Sequence, residues 1–253
     1  MDLLIVSCAS LLAGLIDAIV GGGGLVLVPA LFATYPAAAP ATLLGTNKTA
    51  SVWGTLIAAV QYSRQVTLRW PVLLPAAACA LLGSLAGAWS VTQVNPDFLR
   101  ALLPLILLAV LIYTLAKKDL GRTHAPRHAL RGEQIAASLI GLGIGWYDGF
   151  FGPGTGSFFI FLFVRLLGYD FLNASAAAKL LNVATNVAAI ALFAAKGHVW
   201  WQVGLLMAAA NVAGSLIGTR LALRHGAGFV RGVFILVVGA LILKTGSDAL
   251  GLF

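Results

Sequence analysis

Long apolar runs separated by short polar connections set out the chain. The first runs from about Leu3 to Thr34, the second from Ala41 to Tyr62, the third from Trp70 to Val91 and the fourth from Phe98 to Ala116. A polar, proline-containing segment follows at Lys117–Arg131. The layout then returns as Gln134–Leu167, Phe171–Ala195, Trp200–Leu223 and Phe229–Lys244. Most of these runs approach the roughly 20 residues that a helix needs to cross a bilayer's hydrocarbon. With little β-alternation, helices must satisfy the backbone in lipid. The expectation is an all-α polytopic membrane protein of two tandem homologous repeats, residues 1–116 and 134–253, joined by a basic linker over 117–133.

The repeat is visible residue by residue. Shifting the chain by 131 positions (148 − 17) lays Gly14 on Gly145, Asp17 on Asp148, Gly21 on Gly152, Gly23 on Gly154 and Lys48 on Lys179. With no gap, Trp70 then meets Trp201, Gly83-Ser84-Leu85 meets Gly214-Ser215-Leu216, and Gly87 meets Gly218. An internal repeat of this length decides the architecture. In each half the first run is too long for one straight span and too short for two. Its glycines, joined by Pro153 in the second half, mark a helix broken into a long and a short piece.

Basic residues distinguish a broken unit that crosses the membrane from one that re-enters. Re-entry places Arg64, Arg69, Lys117, Lys118, Arg122, Arg127, Arg131, Arg165, Arg220, Arg224 and Arg231 on one face, and only Arg100, Lys196 and Lys244 on the other. That is the better positive-inside division. It makes the repeats inverted and the linker cytoplasmic.

The composition agrees. Among 253 residues 60% are apolar and 9% charged, with a mean hydropathy of +0.97, against about 25% charged residues in soluble domains. The net charge of +8 lies mostly in the short connections, so it reads as a topology signal and not as a nucleic-acid surface. Cys8 and Cys79 lie within apolar runs, and the spacing of His and Cys matches no metal motif. No P-loop follows the glycines, and a Ser157–His198 protease dyad is weakly supported, so no catalytic residues, cofactor or metal are expected.

Candidate chemistry is confined to the duplicated polar positions. Asp17 and Asp148 are ionisable groups inside apolar units, where a charge is costly and by default functional. They can also serve to hold the helix break together; the two roles are compatible, and a buried carboxyl suits proton coupling. Lys48 and Lys179 recur beside Asn47, Asn182 and Asn186, against the alternative that they snorkel to an interface. The breaks at Gly21, Gly23, Gly152 and Gly154 expose helix-start amides. Two such ends meeting near two lysines make a site for a small anion, as in repeat transporters with discontinuous helices.

The paired glycine breaks with their preceding acids, the Gly45-Thr46-Asn47-Lys48 segment and its Lys179…Asn182…Asn186 counterpart resemble the TauE/SafE family of membrane transporters. The resemblance covers nearly the whole chain. It implies a multi-pass permease of the bacterial inner membrane for small anions such as sulfite or sulfonates. The segments around Lys48 and Lys179 would line its substrate site. The halves depart from symmetry there: Asn47 is matched by Ala178, Ser51 by Asn182 and Thr55 by Asn186. The expected partners are a small anion and the lipid bilayer. The oligomeric state is open, with a homodimer considered. An anion channel and a membrane-embedded enzyme or scaffold subunit stand as alternatives.

Overall fold

A computed structural model describes residues 1–95, 98, 125–127 and 129–249, with side chains described as far as His225. The fourth apolar run, apart from Phe98, and most of the linker lie outside the described residues. The described elements are all helical: α1 (Asp2–Val20), α2 (Gly24–Thr34), α3 (Pro40–Ser63), α4 (Trp70–Val91), α5 (Leu130–Phe150), α6 (Thr155–Leu162, continued by a π-turn over Phe163–Leu167), α7 (Phe171–Ala195) and α8 (Trp201–Ala249). By length and composition α1, α4, α7 and the Trp201–His225 part of α8 can each cross a membrane. Their outer faces carry exposed Leu4, Leu74, Leu82, Leu205 and Ile217, as a lipid-facing surface requires.

The expected runs become helices for identifiable reasons. Pro40 opens α3 and Pro71 sits in the first turn of α4, where a missing N–H costs nothing. Asp170 caps α7, its carboxylate accepting from the Asn173 amide at 2.8 Å. Two boundaries differ from expectation. Residues 130–133 are the first turn of α5 and not linker; Glu133 is fully buried there because Arg69 and Tyr169 both reach it. The interruption expected between Leu223 and Phe229 is also absent, and α8 runs through it. Gly226 and Gly228 weaken a helix by about 1 kcal/mol each but, without a proline, do not end it.

Both broken units fold back on themselves. A straight continuation would carry Gly23 about 15 Å beyond Ala13. Instead a Cβ on Gly23 would meet the Ala13 carbonyl at 2.6 Å and the Asp17 Cβ at 2.8 Å. Val6 of α1 and Leu31 of α2 belong to one buried cluster against which Tyr35 and Ala38 pack, so the start of α1 and the end of α2 share one end of the bundle. In the second half the Tyr147 and Phe158 rings meet edge to face at 5.4 Å. The Tyr169 hydroxyl donates to Glu133 Oε1 at 2.6 Å, which brings the start of α5 beside the end of α6.

These two hairpins open at opposite ends. At the first end Tyr35 meets Trp200 with ring centroids 5.3 Å apart, Thr42 pairs with His198 at 3.2 Å, and Lys196 donates to Thr92 at 2.6 Å. At the other end Arg69 binds Glu133 at 2.6 Å, Gln134 donates to the Pro71 carbonyl, and Arg127 donates to the Arg165 carbonyl. Helix α3 therefore runs from the first end to the second and α7 runs the reverse way; α4 and α8 are opposed likewise.

Glycine sets the closest helix approaches. Gly83 and Gly87 of α4 press on the Leu142 and Trp146 carbonyls of α5, which returns Gly141, Gly145 and Gly149 against Ala76, Ala80 and Ser84. Gly214 and Gly218 of α8 press on the Leu11 and Leu15 carbonyls of α1. In lipid, where no hydrophobic effect joins helices, small residues of this kind let backbones pack.

Candidate functional site

The hairpin tips cross at the centre of the bundle. Gly21 ends α1 in the left-handed region (φ 76°), and its amide donates to the Asp17 carbonyl at 2.8 Å. Gly152 and Gly154 adopt φ of 96° and 82° around Pro153. A side chain at any of the three would be strained. The Ser157 amide donates to the Gly21 carbonyl at 3.1 Å and its hydroxyl to the Val20 carbonyl at 2.7 Å. Gly156 lies so close to Gly21 that an added Cβ would stand 2.6 Å from its Cα. Ser157 of the second half thus completes the first half's turn.

The lysines also cross between halves. Lys48 Nζ lies 2.6 Å from Asp148 Oδ1, with the two side chains 4% and 2% exposed. Lys179 Nζ donates to the main-chain carbonyl of Asp17 at 2.6 Å and stands 5.4 Å from the centre of the Tyr62 ring. Neither lysine snorkels; each is 3% exposed. Asp17 itself is half-buried and accepts from the Thr55 hydroxyl at 3.2 Å.

Between the tips lies a polar cavity of about 20 Å³. A cavity of about 10–15 Å³ on this measure holds one water. Its walls include Asp17, Asn47, Lys48 and Asp148, the glycines Gly21 and Gly152, and Asn182 and Asn186. Ser51, Thr55, Gly24, Thr155 and Gly156 complete the lining. The amides of Gly24 and Gly156, in the first turns of α2 and α6, make no backbone hydrogen bond. Gly23 and Gly154 shape the turns without lining the cavity, and Lys179 is held just outside it.

Two features revise the expected positive cradle. The ammonium that faces the cavity is already paired with a carboxylate, and Asp17 adds a second negative side chain against Lys179. The four charges cancel. Moreover, the buried side-chain atoms left without a partner at the cavity are acceptors, Asp148 Oδ2 and Asn47 Oδ1. Ser51 and Thr55 were not among the expected site residues, although their repeat positions match Asn182 and Asn186. That Lys48 would choose the other half's acid was not signalled by any local pattern.

The chain matches the family described as sulfite exporter TauE/SafE over residues 6–245. It belongs to that family. A probable membrane transporter protein, ORF9, of Sinorhizobium sp is 38% identical over 242 residues, covering 95% of this chain and 90% of the relative. The probable membrane transporter protein YfcA of Escherichia coli K12 is 35% identical over 243 residues, covering 96% and 88%. One from Haemophilus influenzae is 35% identical over 246 residues, covering 94% and 92%. No solved structure matches the chain. As a TauE/SafE member the protein is a membrane transporter.

Proposed function

We propose that this TauE/SafE protein is a secondary transporter of small anions, with sulfite, sulfonates and related organic anions as its substrate class. In this reading it works in the bacterial inner membrane, and its two halves are inverted copies that rock about the crossed hairpins. The carrying observation is the cavity between the hairpin tips, where Lys48, Asn47, Asn182, Asn186 and two unbonded glycine amides converge. The opposed directions of α3 and α7 support inversion. Arg64, Arg69, Arg127 and Arg165 at one end and Lys196 at the other support a cytoplasmic face at the arginine end. Room for about one water supports a carrier caught between open states over a standing pore.

The test is counterflow of sulfite and methanesulfonate in vesicles reconstituted with purified protein. Wild type exchanges at least one of them, and Lys48→Ala lowers the exchange more than tenfold at equal folded protein by size-exclusion chromatography. Undiminished exchange in both Lys48→Ala and Lys179→Ala removes the lysines from the transport path.

A further inference from the structure

We propose that Asp148 and the substrate compete for Lys48, so that one proton moves with each monovalent anion, and that Asp17 takes no part in this exchange. The inference rests on the transport reading above and assigns its coupling ion, stoichiometry and charge class.

The argument begins with charge. The Lys48–Asp148 pair is neutral as a unit and almost wholly excluded from water. Adding a monovalent anion beside it leaves one uncompensated negative charge in a low-dielectric site, which such sites do not tolerate. Among the described residues, the one ammonium that lines the cavity is already bound at 2.6 Å. Both obstacles vanish together if a proton enters with the anion and settles on Asp148. Before binding, the site holds ammonium and carboxylate. Afterwards it holds ammonium, neutral carboxylic acid and anion. Lys48 keeps its proton throughout, and its hydrogen bond passes from Asp148 Oδ1 to the anion.

Geometry singles out Asp148. Its residue is 1% exposed, it lines the cavity, and Oδ2 has no partner, so an oxygen is free to receive the proton. Among the described residues that line the cavity, Asn47 Oδ1 is the other buried side-chain acceptor without a partner. Asp17 is placed otherwise. Its carboxylate takes the Thr55 hydroxyl, and Lys179 is anchored to its main-chain carbonyl, a bond that protonation of the side chain does not release.

Among the described residues, the groups facing Asp148 leave no rival proton site with the same consequence. Helix α3 presents Lys48, and α1 presents Asp17. Helix α5 itself adds Tyr147, whose hydroxyl donates to the Pro153 carbonyl. Helix α7 contributes Asn182 and Asn186, with Lys179 directed to Asp17. Helices α4 and α6 contain no acidic or basic residue.

The experiment uses methanesulfonate, a monovalent anion that stays ionised at neutral pH, in vesicles holding the full chain. The reading is the ratio of uptake driven by an inward proton gradient to exchange without one. Wild type and Asp17→Asn give ratios above one. Asp148→Asn gives a ratio of one, because its neutral amide leaves Lys48 permanently available. Asp148→Glu, which retains a titratable acid, restores a ratio above one and guards against a folding defect in the amide variant. A gradient response in Asp148→Asn equal to that of wild type, or its loss in Asp17→Asn alone, overturns the assignment. Absence of methanesulfonate exchange in wild type instead defeats the transport reading for monovalent sulfonates.

Discussion

Lys48 and Asp148 form a close ion pair in a place that water scarcely reaches. Removing one partner from a buried pair costs about 3–5 kcal/mol, whereas replacing both with apolar residues of similar size is often neutral. Lys48→Met is therefore expected to destabilise the protein by about that amount, and Lys48→Met with Asp148→Leu to recover most of it. Thermal unfolding in detergent measures both. A double variant as unstable as the single one would show that the pair's energy lies elsewhere in the site. At this scale the sequence was half legible. Duplication picked out Asp17, Asp148, Lys48 and Lys179, but the matches of Ser51 with Asn182 and Thr55 with Asn186 read only as a departure from symmetry, and Ser51 and Thr55 were missed as cavity walls. The pairing between halves was hidden, because residues a hundred positions apart meet only through packing. So was Glu133, whose charge reads as linker until Arg69 and Tyr169 are brought to it.

At the scale of elements, α4 and α5 touch along a track of glycines with carbonyls seated in the space that side chains would fill. Gly87→Val drives a branched side chain into the Trp146 carbonyl and the Phe150 amide. The expected result is loss of the monodisperse folded peak in size-exclusion chromatography. Gly143, on the same α5 helix, has nothing within 4 Å of an added Cβ. Gly143→Ala should fold as well as wild type or gain up to about 1 kcal/mol from helix propensity. Equal behaviour of the two variants would mean that close approach is not what joins these helices. The small-residue spacing of Gly83 and Gly87 announced a tight contact. Their partner helix was not announced, since a repeated small-residue pattern names no particular neighbour.

At the scale of the whole molecule, the described residues place more basic side chains at one end of the bundle than at the other, and the proposed orientation can be tested from it. Arg64 and Lys196 are both exposed, at opposite ends. In a background with Cys8 and Cys79 replaced, Lys196→Cys should react with a membrane-impermeant thiol reagent in intact cells. Arg64→Cys should react only after the cells are opened. The opposite pattern would turn the molecule over without altering its fold. The helical plan was legible because span length is fixed by bilayer thickness.

The crossing at Ser157 has a consequence for biosynthesis. While the first half is being made, the Val20 and Gly21 carbonyls have no Ser157 to receive. The nascent chain therefore carries an unfinished turn until the second hairpin leaves the ribosome and threads beside it. In that interval the two oxygens must face water or the insertion machinery. A stop codon placed between the halves should leave a fragment that quality-control proteases remove, and supplying the missing fragment from a second gene should protect it.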